Sequence, residues 1–189
     1  EYLMESILRG DLNPGDKIVE SKLARELSIS QGAVREAIRD LIAQGVLETE
    51  PYKGTRIRTL SKEQLNDYYD VRTEIEALAV RWSILKHHSR YLDLDFLRTC
   101  VDNMAVCVEL NDTKNMRKND MAFHLAIVQG AHSESLAKAW HSLGNYYWTY
   151  IAVYYDHAAS LLHAQVDKHR MMYDAIAGAD VNAYAQCVR

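Results

Sequence analysis

The run NDMAFHLAIV (119–128) sets a carboxylate, Asp120, four residues ahead of an imidazole, His124. On an α-helix that spacing separates them by about 40°, so both side chains leave one face. Met121, Phe123, Leu125, Ile127 and Val128 surround the pair with apolar side chains. Two donors projecting from one rigid turn are half of what a divalent cation needs. A third donor stands further along. Leu162, Val166, His169, Tyr173 and Ile176 recur at helical spacing, which puts His169 in the middle of a core-facing stripe. An imidazole so placed needs a polar partner, and its own helix backbone supplies none. Two readings stay open. Asp120, His124 and His169 hold a metal, or the histidines are core residues bonded to a carboxylate such as Asp120.

A second chemistry is written into the first third. Gln31, Arg35 and Arg39 run at i, i+4, i+8 beside the apolar stripe Val34, Ile38 and Leu41. A glutamine amide pairs with the edge of adenine, and an arginine forks onto guanine or a phosphate. Lys53, Arg56 and Arg58 form a second basic cluster, suited to the minor groove or the DNA backbone. Taken alone, the helix also reads as a solvated surface whose arginines pair with Glu36 or Asp40. The order of elements around it favours DNA.

That order follows from the breakers. Both prolines, Pro14 and Pro51, and five of the eight glycines fall within the first 54 residues, and no proline follows. Asn13-Pro-Gly-Asp16 is a turn, and a short helix is expected over Ser21–Leu27. Ser30 caps a helix running from Gln31 to Gln44, with Gly45 at its C-terminal end. Val46–Thr49 and Thr55–Thr59 read as strands around Pro51–Gly54. Helix, helix, turn, helix and β-hairpin make a winged helix-turn-helix.

Past a boundary near Thr59–Ser61 the pattern changes to long helices, giving domains 1–60 and 61–189. Six helices are expected, over Lys62–Lys86, Asp93–Leu110, Lys114–Gly130, Glu134–Tyr155, Leu161–Ala177 and Val181 onward. The predicted fold is mainly α, a winged helix-turn-helix followed by an all-helical bundle. The aromatic run 145–155 is assigned to core packing or a dimer seam, without a site role.

A net charge of −4 excludes global basicity as the means of meeting DNA. Residues 1–59 hold nine Lys or Arg against ten Asp or Glu, so even there the contact must be local. Cys100, Cys107 and Cys187 lack CxxC spacing, which fits a reducing cytoplasmic setting rather than a disulfide scaffold. No apolar run of membrane-spanning length or signal-peptide pattern is present, so no membrane partner is expected. The first residues already read as helix, so the expectation is of a chain truncated at its start.

The stretches PGDKIVESKLARELSIS and AVREAIRDLIAQGVLETEPYKGTRI, within Ile7–Arg58, resemble the DNA-binding domain of GntR bacterial transcription regulators. The resemblance implies an operator in double-stranded DNA, met by Ser30, Gln31 and Arg35 on the recognition helix and by Lys53 and Gly54 on the wing. One departure stands out. The family usually opens this helix with Ser-Arg-Thr-Pro, where this chain has Ser30-Gln31-Gly32-Ala33. That implies an altered operator preference with phosphate anchoring by Arg35 retained.

YDVRTEIEALAV (68–79), NDMAFHLAIVQGAHSESL (119–136) and KHRMMYDAIAGADVNAYA (168–185) resemble the FCD ligand-binding domain of the FadR subgroup. In its metal-binding members an Asp and three His hold a divalent ion, commonly zinc, with nickel and manganese as alternatives. Asp120, His124 and His169 match three of these ligands, and the fourth would fall just past Arg189, which implies truncation at that end too. The resemblance further implies a homodimer and a small effector, often a carboxylate, with Arg72 positioned to clamp it. A salt bridge from Arg72 to Glu76 is the structural alternative. Two other functions compete with a regulator. A metal-dependent hydrolase would need a free general base, which Asp120 is not once it ligates, and no HExxH motif is present. A non-DNA-binding interaction module on a decayed winged helix is opposed by Arg35, Lys53 and Gly54.

Overall fold

Capping residues and breakers set the lengths of the first elements. In the computed structural model, which describes residues 2–9, 11–86, 89, 91–144 and 159–188, the chain divides into two units, Glu1–Gln64 and Leu65–Arg189. The first holds α1 (Tyr2–Arg9), β1 (Lys17–Ile18), α2 (Glu20–Glu26), α3 (Gln31–Ala43), β2 (Leu47–Glu50) and β3 (Gly54–Ile57). The Ser30 hydroxyl accepts from the Ala33 N–H at 3.1 Å, satisfying a donor that α3 itself leaves unpaired. α3 ends at Ala43 with Gln44 as its C-cap, after which Gly45 takes a φ of +73°, open to glycine at no steric cost. Val34, Ile38 and Leu41 form its buried stripe, and Leu23 and Ala24 are buried on α2, which packs against it.

The sheet has one strand more than the sequence led us to expect. β1 pairs with β3, which pairs with β2, all antiparallel. Ile18 lies opposite Thr55, and Leu47 opposite Ile57. Two residues are too few to show an alternating pattern, so β1 is visible only through its partner. The connection from β2 to β3 is the wing, with Tyr52 at φ +66° and Gly54 at φ +84°.

Among the described residues six helices follow: α4 (Lys62–Leu85), α5 (Leu94–Glu109), α6 (Thr113–Gly130), α7 (Glu134–Ser142), α8 (Ala159–Ala177) and α9 (Val181–Val188). Ser61 and Gln64 close a reciprocal capping box at the start of α4, at 3.1 and 3.0 Å. Asp93, Asp112 and Ser133 cap α5, α6 and α7 through backbone N–H groups. α5 packs on α6 and α8, α8 on α9, and α6 on α7. Phe123, Trp140 and Tyr184 are fully buried in this core, as are the smaller Leu97 and Met104. Cys100 and Cys107 are buried in it as free thiols.

One expected element is shorter than its pattern. The helix starting at Glu134 ends at Ser142, not at Tyr155, and Gly144 adopts φ +67° two residues on. Aromatic residues continue the helical periodicity past this point, so hydropathy alone conceals the stop. The aromatic run 145–155 lies outside the described residues. Among the described residues no helix is long and apolar enough to cross a membrane.

Candidate metal centre and nucleic-acid interface

α6 and α8 bring Asp120, His124 and His169 together in the second unit. One ligand atom from each lies within 4.8 Å of the others. The Nε2 atoms of the two histidines face each other at 3.1 Å. Asp120 Oδ1 lies 3.0 Å from His169 Nε2 and 3.7 Å from His124 Nε2. Both histidines are buried and Asp120 is nearly so.

The outer sides of both rings determine what the inner sides offer. Contrary to the expectation that its own helix backbone would supply no partner, His169 Nδ1 sits 2.7 Å from the carbonyl of Gln165, one turn back on α8; a carbonyl only accepts, so Nδ1 donates. His124 Nδ1 sits 2.8 Å from Glu76 Oε2, a carboxylate, so it donates too. With both Nδ1 atoms protonated, each neutral ring presents an Nε2 lone pair inward, facing the Asp120 oxygen. Three acceptors pointed at one another repel unless a cation or a proton lies among them. A tetrahedral ion with bonds of about 2.1 Å separates its ligand atoms by roughly 3.4 Å, close to the spacing here. The donor set therefore fits a divalent ion, to which the described residues offer three ligand atoms.

Electrostatics agree with a site made for positive charge. Burial would raise the Asp120 pKa, but the His169 hydrogen bond, His124 and Arg72 outweigh it and hold the carboxyl well below its usual range. Burial lowers the His124 pKa and keeps that ring neutral, against the pull of Glu76. Burial opposes a charge on His169 as well, yet Asp120 raises its pKa, which draws a proton to the position a metal would take.

Sequence reasoning did not assign Glu76 to this cluster, only to Arg72. It lies on α4, fully buried, with Oε1 accepting from Arg72 Nε at 2.8 Å and from Trp140 Nε1 at 2.9 Å. Burial pushes its pKa up, but Arg72 and then His124 pull it down to about 2. Arg72, expected to clamp an effector, forms the salt bridge to Glu76 that was its structural alternative, and among the described residues its Nη2 remains buried without a hydrogen-bond partner. The Tyr184 hydroxyl on α9 is in the same condition and lies within the electrostatic influence of Glu76 and Arg72. Both are donors left for something else. No motif signals Tyr184; only the burial of its hydroxyl does.

In the first unit, Ser30, Gln31, Arg35 and Arg39 lie on the exposed side of α3 and its cap, and Lys53 and Gly54 are exposed on the wing. The cations are paired. Arg35 meets Glu20 at 3.2 Å, Arg39 meets Glu36 at 2.7 Å and Lys53 meets Glu50 at 2.7 Å. Arg56 contacts Glu48 at 3.3 Å and also Glu50. The helix pairing anticipated with Glu36 thus occurs, through Arg39. The recognition-helix set and the metal set belong to separate units.

A recognition helix with a wing, followed by a helical unit, is the architecture of a DNA-binding regulator. Residues 1–57 match the family of bacterial regulatory proteins, gntR family, and residues 67–189 match the FCD domain. The chain belongs to the GntR family of bacterial transcription regulators, in a branch carrying an FCD domain. It is 30% identical over 182 residues to the probable D-xylose utilization operon transcriptional repressor of Paenarthrobacter nicotinovorans, covering 95% of this chain and 77% of that protein. To the HTH-type transcriptional repressor GlaR of Escherichia coli it is 29% identical over 140 residues, covering 71% of this chain and 62% of that protein. The fold is shared with a GntR regulator from Rhodococcus sp. RHA1 (TM-score 0.81, 22% identity, 98% and 87% of the two chains). It is shared also with E. coli McbR/YncC (TM-score 0.78, 21% identity, the same coverages). These families and relatives are transcription regulators, not enzymes.

Proposed function

We propose that the protein is a metabolite-responsive regulator acting in the cytoplasm as a homodimer, with residues 1–60 binding an operator and residues 61–189 binding the signal. Asp120, His124 and His169 hold a divalent ion, zinc in the first instance. A small carboxylate bound beside it would take the spare donor of Arg72. The observation that carries this reading is the gathering of one ligand atom from each of Asp120, His124 and His169 within 4.8 Å of one another in the core. When bound, the ion supplies a Lewis-acidic point for an anionic ligand. Around it Arg72 and Tyr184 supply donors, and Glu76 holds His124 in the ligating tautomer. Ser30, Gln31, Arg35, Arg39, Lys53 and Gly54 meet the DNA. Ligand binding changes operator affinity to the extent that it favours one arrangement of the dimer over another.

The test starts from duplexes selected out of random DNA by the protein, and by Gln31→Arg to expose the role of Gln31. Operator affinity is then measured with and without zinc, against a panel of small carboxylates. The proposal expects a different selected motif for Gln31→Arg. It also expects at least one carboxylate to shift operator affinity in the zinc-loaded protein, and far less in Arg72→Leu. Carboxylates without effect on the loaded protein would overturn the signal reading while leaving DNA recognition intact.

A further inference from the structure

Two buried donors of the helical unit have nothing to donate to among the described residues. They are Arg72 Nη2 on α4 and the Tyr184 hydroxyl on α9. Arg72 is 4% exposed and Tyr184 0%, so water does not serve them either. A buried donor left unpaired bears its whole desolvation cost, and folded chains satisfy nearly all of them. These two, from the first and last helices of the unit, share one electrostatic neighbourhood. Arg72 is ion-paired with Glu76, and Tyr184 lies within the influence of both.

Glu76 is engaged elsewhere. Its Oε1 accepts from Arg72 Nε and Trp140 Nε1, and its Oε2 from His124 Nδ1. Burial, reinforced by Glu76, pushes the Tyr184 pKa upward, so the phenol keeps its proton and remains able to donate. The two spare donors differ in kind. Arg72 is charged and matches a carboxylate, whereas the phenol is neutral and matches a neutral oxygen. A second carboxylate set against the phenol would bury another negative charge beside Glu76 with no cation of its own. An ammonium group has no lone pair for the phenol proton, and an alkyl group has none either. We propose that Tyr184 is the specificity-determining residue of the signal site, admitting small acids that carry a hydroxyl or carbonyl oxygen besides the carboxylate held by Arg72. This inference rests on the reading of the helical unit as the signal-binding domain with Arg72 as its carboxylate clamp.

The experiment is titration calorimetry on the full chain supplied with zinc, comparing the parent with Tyr184→Phe. The probes are butyrate, its 2-, 3- and 4-hydroxy derivatives, 2-oxobutyrate and 2-aminobutyrate. At least one oxygenated acid is expected to bind the parent about tenfold or more tightly than butyrate, and 2-aminobutyrate no more tightly than butyrate. Tyr184→Phe is expected to bind butyrate as the parent does and to lose about tenfold in affinity for that oxygenated acid. Its thermal midpoint without ligand should not fall, because the change removes a donor that the fold leaves unpaired. A Tyr184→Phe chain that keeps the preference would overturn the inference. So would a lowered midpoint, the mark of a hydroxyl already partnered. Equal binding of butyrate and its oxygenated derivatives by the parent would overturn the inference and leave the carboxylate reading standing. A parent that binds none of these acids would overturn that reading as well.

Discussion

Glu76 accepts from Arg72 on its own helix, from His124 on α6 and from Trp140 on α7, so one carboxylate ties three helices to the candidate metal centre. Its partner on α6 is separated from it by 48 positions and its partner on α7 by 64. Periodicity identified the face on which each of these residues lies, but not which face it meets. That is why Asp120, His124 and His169 were legible as a set, whereas Glu76, Trp140 and Tyr184 were not. A carboxylate on the far nitrogen of a ligating imidazole fixes its tautomer and raises its basicity. Replacing Glu76 with Gln is expected to weaken zinc affinity by about 10- to 100-fold, measured by competition with a chromophoric chelator. Unaltered affinity would show that Glu76 only supports packing. Metal uptake should also release the proton held between His169 and Asp120, so affinity rises with pH over the histidine range. Titration calorimetry in buffers of different ionisation enthalpy reads that proton directly.

At the scale of elements, the helix limits follow from caps that are visible in the sequence, such as Ser30, Ser61 and Ser133. What escaped were β1, too short for a pattern, and the end of α7, hidden by aromatic residues continuing the apolar rhythm. Two glycines show how local space decides the sign of one substitution. Gly32 sits exposed in the first turn of α3, and a Cβ there would meet only the Ser30 hydroxyl, at 3.8 Å. Gly32→Ala is therefore expected to stabilise the first unit by about 0.5–1 kcal/mol through the lost entropy of the unfolded chain. Gly130 is buried in the last turn of α6, where a Cβ would collide with Leu92 and lie 3.2 Å from Ser83 Oγ. Gly130→Ala is expected to destabilise the helical unit by about 1–3 kcal/mol. Thermal unfolding of the two variants should move in opposite directions, and equal shifts would refute the distinction.

Over the whole molecule, a net charge of −4 and an ion pair at each of Arg35, Arg39, Lys53 and Arg56 leave the proposed DNA-facing surface nearly neutral at rest. Phosphates must then displace carboxylates of the same chain. Glu50, which holds both Lys53 and Arg56, is the competitor to remove. Glu50→Gln is expected to raise affinity for random duplex DNA and steepen its salt dependence by about one phosphate contact. An unchanged slope would mean that the pair does not compete. The winged unit was legible almost throughout because turns and caps are local, and the helical unit was legible as helices but not as a network.

The central claim is that the core of the helical unit is built around a divalent ion, and metal content tests it most directly. Elemental analysis with native mass spectrometry, on the protein purified without chelators and on Asp120→Ala and His169→Ala, should find about one ion per chain in the parent. The two variants should carry little or none. A parent that is metal-free and takes up no zinc, nickel or manganese when these are supplied would contradict the account, and leave His169 donating a proton to Asp120 in its place.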